Sequence, residues 1–327
     1  MKRFVSVLLA ALLAGSLSAC GLSSGNSVPF SVGPGSIRMD PSLKDVPVTV
    51  GSKDFTEQIL LAYITEYALQ AAGMDVKDLS NISGSNSGRQ ALLDGQIDVM
   101  WEYTGTAWIS YLSKTDPISD PDKMFAAVRD VDAGNGVSWV DRAPLNNVYT
   151  MAQSQQVRKK YGVRTLSDLA ALFRKDPSAV TICIESEFAS RNDGWPSVEK
   201  KYGFKLPDSN IRKLDTGAIY QATANAQSCN FGEIFQTDAR QRSLNLSTLK
   251  DDKHAFPAYN GAVTLRTEFL KQHPAIERVL APVAAKLTSN TMIELSTQVD
   301  VRGRDSAEVA REWMIAQGFV SDPAKSR

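Results

Sequence analysis

The 327-residue sequence predicts an α/β fold divided into two lobes. Length is the first observation behind this reading, since a chain of this size buries a substantial core and divides naturally in two. The second is residues 48–63, VTVGSKDFTEQILLAY, where a short apolar strand breaks at Gly51 and passes directly into a helical pattern. The third is an internal likeness. Residues 91–106 read as short helix, Gly95, strand and Tyr103, and residues 222–238 as helix, Cys229, strand and Phe235. Each unit brings an aromatic side chain to the end of a strand, as two halves facing one cleft would.

Residues 1–19 read as a lipoprotein signal peptide. Lys2 and Arg3 form a charged start, residues 4–17 form an apolar run too short for a comfortable membrane span, and Leu17-Ser18-Ala19-Cys20 is a lipobox. Cys20 is then the expected lipidation site and first mature residue. Residues 20–46, rich in Ser, Gly and Pro, are expected to form a flexible tether. An anchored tether places the folded part outside the cytoplasmic membrane but near it, in the periplasm or at the cell surface. In that oxidising setting the two remaining cysteines are expected to pair. Cys183 lies in a strand over 180–184 and Cys229 just before one over 231–236.

The elements follow from local chemistry. Val48, Thr49 and Val50 are β-branched and favour a buried strand. Asp54 and Glu57 have capping-box spacing, which starts the helix at Asp54 and holds Lys53 at its N-terminus. Free N–H groups and an ammonium there suit a carboxylate. A weak strand over 78–83 leads into a polar loop, Gly84-Ser85-Asn86-Ser87-Gly88, and then a short helix over 89–93. A strand over 97–101 ends in Glu102-Tyr103-Thr104-Gly105-Thr106, so polar and aromatic groups gather at a strand's carboxyl end, where ligands of open α/β sheets bind.

Helices over 104–112 and 121–131 and a strand over 137–140 come next. Residues 143–149, with Pro144, Asn146 and Asn147, read as the first crossing between lobes, and the irregular residues 251–260 as the return. Lobe one is thus expected over 47–146 and 257–327, and lobe two over 147–256. Within lobe two, Arg158-Lys159-Lys160-Tyr161-Gly162 and Glu199-Lys200-Lys201-Tyr202-Gly203 are helix ends, with cations in the last turn and a glycine stop. A helix over 167–173, the strand carrying Cys183 and a loop over 185–194 holding Arg191 lie between them.

Composition narrows the function. Lys plus Arg and Asp plus Glu are 36 each, so no basic excess points to nucleic acid. HExxH, GxSxG and paired-cysteine metal spacings are absent from the sequence, and the only histidines are His254 and His273. SxxK occurs at 197–200 and again at 247–250, a frequency that empties it of meaning. No carboxylate pair is spaced for acid and base work. The expectation is a protein without catalytic residues, metal or cofactor.

Four motifs in order carry a resemblance. Val50-Gly51-Ser52-Lys53-Asp54-Phe55-Thr56-Glu57-Gln58, Glu102-Tyr103-Thr104-Gly105-Thr106, Glu187 with residues 191–194, and Phe256-Pro257-Ala258-Tyr259 closely resemble the substrate-binding proteins of ABC transporters for glycine betaine, choline and carnitine. The resemblance runs from Val48 to the C-terminal region. It implies a type II periplasmic-binding-protein fold with the ligand in the cleft between lobes, and ABC permease subunits as partners.

It further implies an aromatic box of Tyr103, Tyr149, Phe235 and Tyr259 around a quaternary ammonium, and carboxylate contacts from Lys53, Thr106 and Arg191. A trimethylammonium has no N–H to donate, so aromatic faces meet it best. A carboxylate suits cations and a hydroxyl, and Arg191 is expected to grip it with both arms. Glu187 and Asn147 are secondary positions. Phe235 stands where many relatives have Tyr, and Asn147 where Asp is common, so a charge near the ammonium is expected to be missing. Two other readings use the same residues: an extracytoplasmic enzyme on choline-like or amino-acid substrates, and a sensor's binding partner.

Overall fold

The computed structural model describes residues 25–115, 118 and 120–325; the signal peptide and the Cys20 lipobox lie outside them. In chain order the strands are β1 (Asn26–Ser27), β2 (Gly33–Pro34), β3 (Pro47–Lys53), β4 (Asp75–Ile82), β5 (Val99–Tyr103), β6 (Val137–Val140), β7 (Tyr149–Gln153), β8 (Ile182–Ile184), β9 (Ile211–Lys213), β10 (Phe231–Phe235), β11 (Ser247–Thr248), β12 (Gly261–Arg266) and β13 (Val320–Ser321). One sheet has the order β1-β4-β3-β5-β12-β6, and a second has β11-β7-β10-β8-β9.

The two sheets share a plan. In the first, β4, β3 and β5 run parallel and β12 lies antiparallel beside β5. In the second, β9, β8 and β10 run parallel and β7 lies antiparallel beside β10. The internal likeness read from sequence therefore falls on the third parallel strand of each sheet, β5 ending in Tyr103 and β10 ending in Phe235. The chain passes between sheets twice, through residues 141–148 and 249–260. These passages run side by side, with Tyr259 N–H donating to Asn146 Oδ1 at 2.8 Å and Asn147 N–H to Tyr259 O at 3.0 Å.

The core of the first lobe forms around the Thr56–Ala71 helix, where twelve of sixteen residues are buried. Leu60, Leu61, Ile64, Tyr67 and Leu69 are closed in by β3, β4 and β5 and by the Ala275–Ala284 and Ser306–Ala316 helices. Surrounded on all sides, this helix has little use for a polar face. The second lobe has its own core, including Met151, Leu169, Ile182, Phe188, Trp195 and Phe231.

Four expectations are corrected. The described part of the 20–46 tether is docked: β1 pairs with β4, β2 pairs with β13, and Ile37 and Leu43 are buried in the first core. Apolar residues spaced through the Ser/Gly/Pro-rich segment find grooves that only the folded lobe creates. The helix after β3 starts at Thr56 rather than Asp54, because Phe55 stays extended (φ −125°, ψ 154°) and no side chain caps it. Glu57 turns inward instead. The helix expected over 104–112 is a short α-turn, Thr104–Thr106, followed by a π-helical turn, Ala107–Tyr111. The wider turn brings the Tyr111 hydroxyl to Glu102 Oε2 at 2.7 Å and to Ser85 O at 3.0 Å. Such turns collect at functional sites.

The loop expected at residues 84–88 is already helical from Ser85, within Ser85–Leu93. Both helix-stop motifs end as read, with Gly162 and Gly203 in the left-handed conformation at φ 70° and φ 68°. Cys183 and Cys229 form a disulfide with their Cα atoms 5.6 Å apart. Cys183 pairs with Gly232 across parallel β8 and β10, three residues beyond Cys229, which explains the proximity.

Candidate functional site in the cleft between lobes

A cavity of about 530 Å³ opens between the lobes. All nine positions singled out from sequence line it: Lys53, Tyr103, Thr106, Asn147, Tyr149, Glu187, Arg191, Phe235 and Tyr259. Strand ends deliver Lys53, Tyr103 and Phe235, the start of β7 delivers Tyr149, and the two passages deliver Asn147 and Tyr259. Glu187 comes from the Ser186–Ser190 helix and Arg191 from its end.

The aromatic rings form one group. Tyr149 is its centre, 5.0 Å from Phe235, 5.3 Å from Tyr259 and 4.8 Å from Phe188 between ring centroids. Phe55, which sequence reasoning missed, stacks between Phe235 at 5.3 Å and Tyr103 at 6.2 Å. Its signal was present in the KDF triplet at the strand end, but the assumed helix start at Asp54 put Phe55 on a helix face. The chain's own cations already use two of the faces: Lys53 Nζ is 5.0 Å from the Tyr103 ring centre, and the Arg191 guanidinium carbon 5.7 Å from that of Tyr149.

Both cations are also paired with carboxylates. Lys53 Nζ donates to Glu102 Oε1 at 2.6 Å, with both side chains buried. Arg191 donates through Nε to Asp193 Oδ1 at 2.8 Å and through a terminal nitrogen to Oδ2 at 2.5 Å, with Glu187 Oε1 at 2.9 Å on its other arm and Thr106 Oγ1 at 3.0 Å. The expectation that Arg191 offers both arms to a ligand is therefore corrected. Asp193 holds that fork, since a buried guanidinium keeps a buried partner. Asp193 also accepts the Tyr259 hydroxyl at 2.8 Å, so one carboxylate fixes a cation and an aromatic wall.

Asn147 instead meets the buried carboxyl of Glu57. Its carboxylate accepts from Tyr103 Oη at 2.6 Å, Asn147 Nδ2 at 2.9 Å and Thr237 Oγ1 at 2.6 Å. Burial raises this carboxyl above its ordinary range, and the three donors act in the opposite sense. Glu233, also missed, lines the cavity from β10, and burial pushes its carboxyl up to about 8. As a buried acid in a β-strand it had no period or spacing to mark it.

Glu187 crosses the cleft. Its Oε2 accepts the Ser85 N–H at 2.8 Å, at the first turn of the Ser85–Leu93 helix. A helix N-terminus is a natural anion site, and here the second lobe fills it. Glu57 to Thr237 and Arg191 to Thr106 make the same crossing. Among the described residues, no group of three or more His, Cys, Asp or Glu could hold a metal ion, and no helix is long and apolar enough to cross a membrane.

Comparison with known proteins agrees with this architecture. The family model for the substrate binding domain of the ABC-type glycine betaine transport system matches residues 46–316. The chain is 32% identical over 278 residues to a glycine-betaine-binding protein of Pseudomonas aeruginosa, covering 84% of this chain and 88% of that one. It is 30% identical over 280 residues to the glycine betaine-binding protein YehZ of Escherichia coli, covering 84% and 92%. The solved structure of apo YehZ superposes with a TM-score of 0.60 over 84% of this chain and 99% of that chain. Its fold is thus the type II periplasmic-binding-protein fold, and its family binds and hands over substrates without converting them. The chain belongs to the family of substrate-binding domains of ABC-type glycine betaine transport systems.

Proposed function

We propose that this protein captures a quaternary-ammonium osmoprotectant of the glycine betaine, choline or carnitine class outside the cytoplasm and delivers it to ABC permease subunits. The observation that carries the reading is the convergence of Phe55, Tyr103, Tyr149, Phe235 and Tyr259 on one interlobe cavity backed by buried carboxylates. Each ring face contributes about 0.5 to 2 kcal/mol to a bound cation. Lys53, Thr106 and Arg191 face the other end of the ligand, where Lys53 and Arg191 are shared between any ligand carboxylate and their own partners, Glu102 and Asp193.

In this reading residues 47–146 and 257–327 form one hinged body and residues 147–256 the other, closing on the ligand through the paired passages. Lipidation at Cys20 keeps the protein at the membrane beside its permease. A Cys20→Ser variant that still carries lipid would refute that anchor. Calorimetry over glycine betaine, proline betaine, carnitine, choline and ectoine tests the ligand class, and failure of every quaternary ammonium to bind would overturn it.

A further inference from the structure

The carboxylates around the cavity are not used equally. Asp54, Glu185, Glu187, Asp215 and Glu233 line it, against Lys53 and Arg191. The two cations are paired with Glu102, Asp193 and Glu187. Asp54 and Asp215 are exposed to water, and Glu185 accepts the N–H groups of Glu187 and Phe188, capping their helix. Glu233 differs from all of these. It is 3% exposed, accepts only the Glu185 N–H at 2.9 Å, and has no ion-pair partner among the described residues.

Glu233 also has a defined place relative to the aromatic group. It lies two residues before Phe235 on β10, on the same face, so the two side chains leave the strand about 7 Å apart. The cavity, about 530 Å³, is of a size that holds ligands much larger than glycine betaine. A ligand with its ammonium against Phe235 and Tyr149 has room to extend toward Glu233.

We propose that Glu233 is a ligand-contacting, specificity-determining residue, and that the preferred ligand carries a cationic or N–H donor at its far end which hydrogen bonds to the Glu233 carboxylate. This rests on the quaternary-ammonium reading above and names the second half of the ligand. The groups facing Glu233 are Glu185, Glu187 and Arg191 from the loop and helix after β8, and Tyr149 from β7. Burial keeps the free carboxyl protonated up to about pH 8. A donor cation favours the ionised form, so its binding releases a proton and its affinity rises with pH through that range.

The test uses two probes of matched size on the mature protein, (4-aminobutyl)trimethylammonium and pentyltrimethylammonium, with glycine betaine alongside. At pH 8 the amine probe is expected to bind about tenfold to a hundredfold more tightly than the alkyl probe, the range of a charge-assisted hydrogen bond. Glu233→Gln, which keeps an acceptor for the Glu185 N–H, is expected to abolish that preference without lowering the melting temperature appreciably. On the wild-type protein, calorimetry in two buffers of different ionisation enthalpy is expected to show proton release with the amine probe alone. Equal affinities, a preference that survives Glu233→Gln, or no proton release would overturn the role of Glu233 while leaving the broader reading intact if glycine betaine binds. Should no quaternary ammonium bind, both fall.

Discussion

Glu187 Oε2 of the second lobe accepts the Ser85 N–H of the first at 2.8 Å, while Glu187 Oε1 receives Arg191 at 2.9 Å. The lobes are thus tied across the cleft by the protein's own groups. Arg191 holds the Glu187 carboxyl below the ordinary range against the effect of burial, so the tie is ionic at neutral pH.

Loss of that tie should open the free protein. Glu187→Ala removes the acceptor at the Ser85 helix terminus, and a charged hydrogen bond is worth about 1.5 to 3 kcal/mol. Small-angle scattering of the unliganded variant should show a larger radius than wild type. An unchanged radius would mean that other contacts hold the lobes together.

Arg191→Ala should weaken both glycine betaine and choline, with the larger loss for glycine betaine, which alone carries a carboxylate. The side chain joins Asp193, Glu187 and Thr106, and breaking a buried pair leaves Asp193 uncompensated, costing about 3 to 5 kcal/mol of stability. Calorimetry with both ligands and a denaturation curve check this. A loss confined to glycine betaine would restore Arg191 as a dedicated carboxylate clamp.

Tyr149→Ala should weaken every quaternary-ammonium ligand by a factor of about 2 to 30, the value of one ring face. Tyr149 also supports Phe235 and Tyr259, so the upper part of that range is expected. Tyr149→Phe should keep most of the affinity, since the face and not the hydroxyl meets the cation.

Reduction of Cys183–Cys229 should destabilise the protein by up to about 4 kcal/mol, the chain-entropy figure for a loop of 46 residues. Urea unfolding with and without reductant reads the difference directly. Coincident curves would show that the β8–β10 pairing alone holds this region.

Stability should fall as pH rises from about 4 to 8, between the ordinary carboxyl values of the unfolded chain and the raised values of the folded one. Burial, with Glu277 nearby, raises the Asp141 carboxyl to about 7, and burial raises Glu233 to about 8. A carboxyl raised in the folded state contributes stability that is complete below its unfolded pKa and is lost as pH climbs through the folded value. Asp141→Asn should flatten the early part of that slope in pH-dependent thermal melts.

Sequence alone determined the elements whose causes are local. Val48-Thr49-Val50 makes a strand, Gly162 and Gly203 stop helices because they accept positive φ, and two similar units put Tyr103 and Phe235 at strand ends. The resemblance carried by four ordered motifs named nine of the positions that line the cleft. What only the tertiary structure decided is which partner each polar group takes. Lys53 and Arg191 read as free cations, yet Glu102 lies 49 residues from Lys53 and is brought beside it by the pairing of β3 with β5. Glu57 reads as a helix cap, yet it meets Thr237 across 180 residues of chain because the packing of the two lobes places a donor there. Residues 25–46 read as a tether, yet β1 and β2 find strand edges that exist only once the first lobe has folded. Backbone conformation follows near neighbours along the chain, whereas the pairing of buried charges follows distance in space.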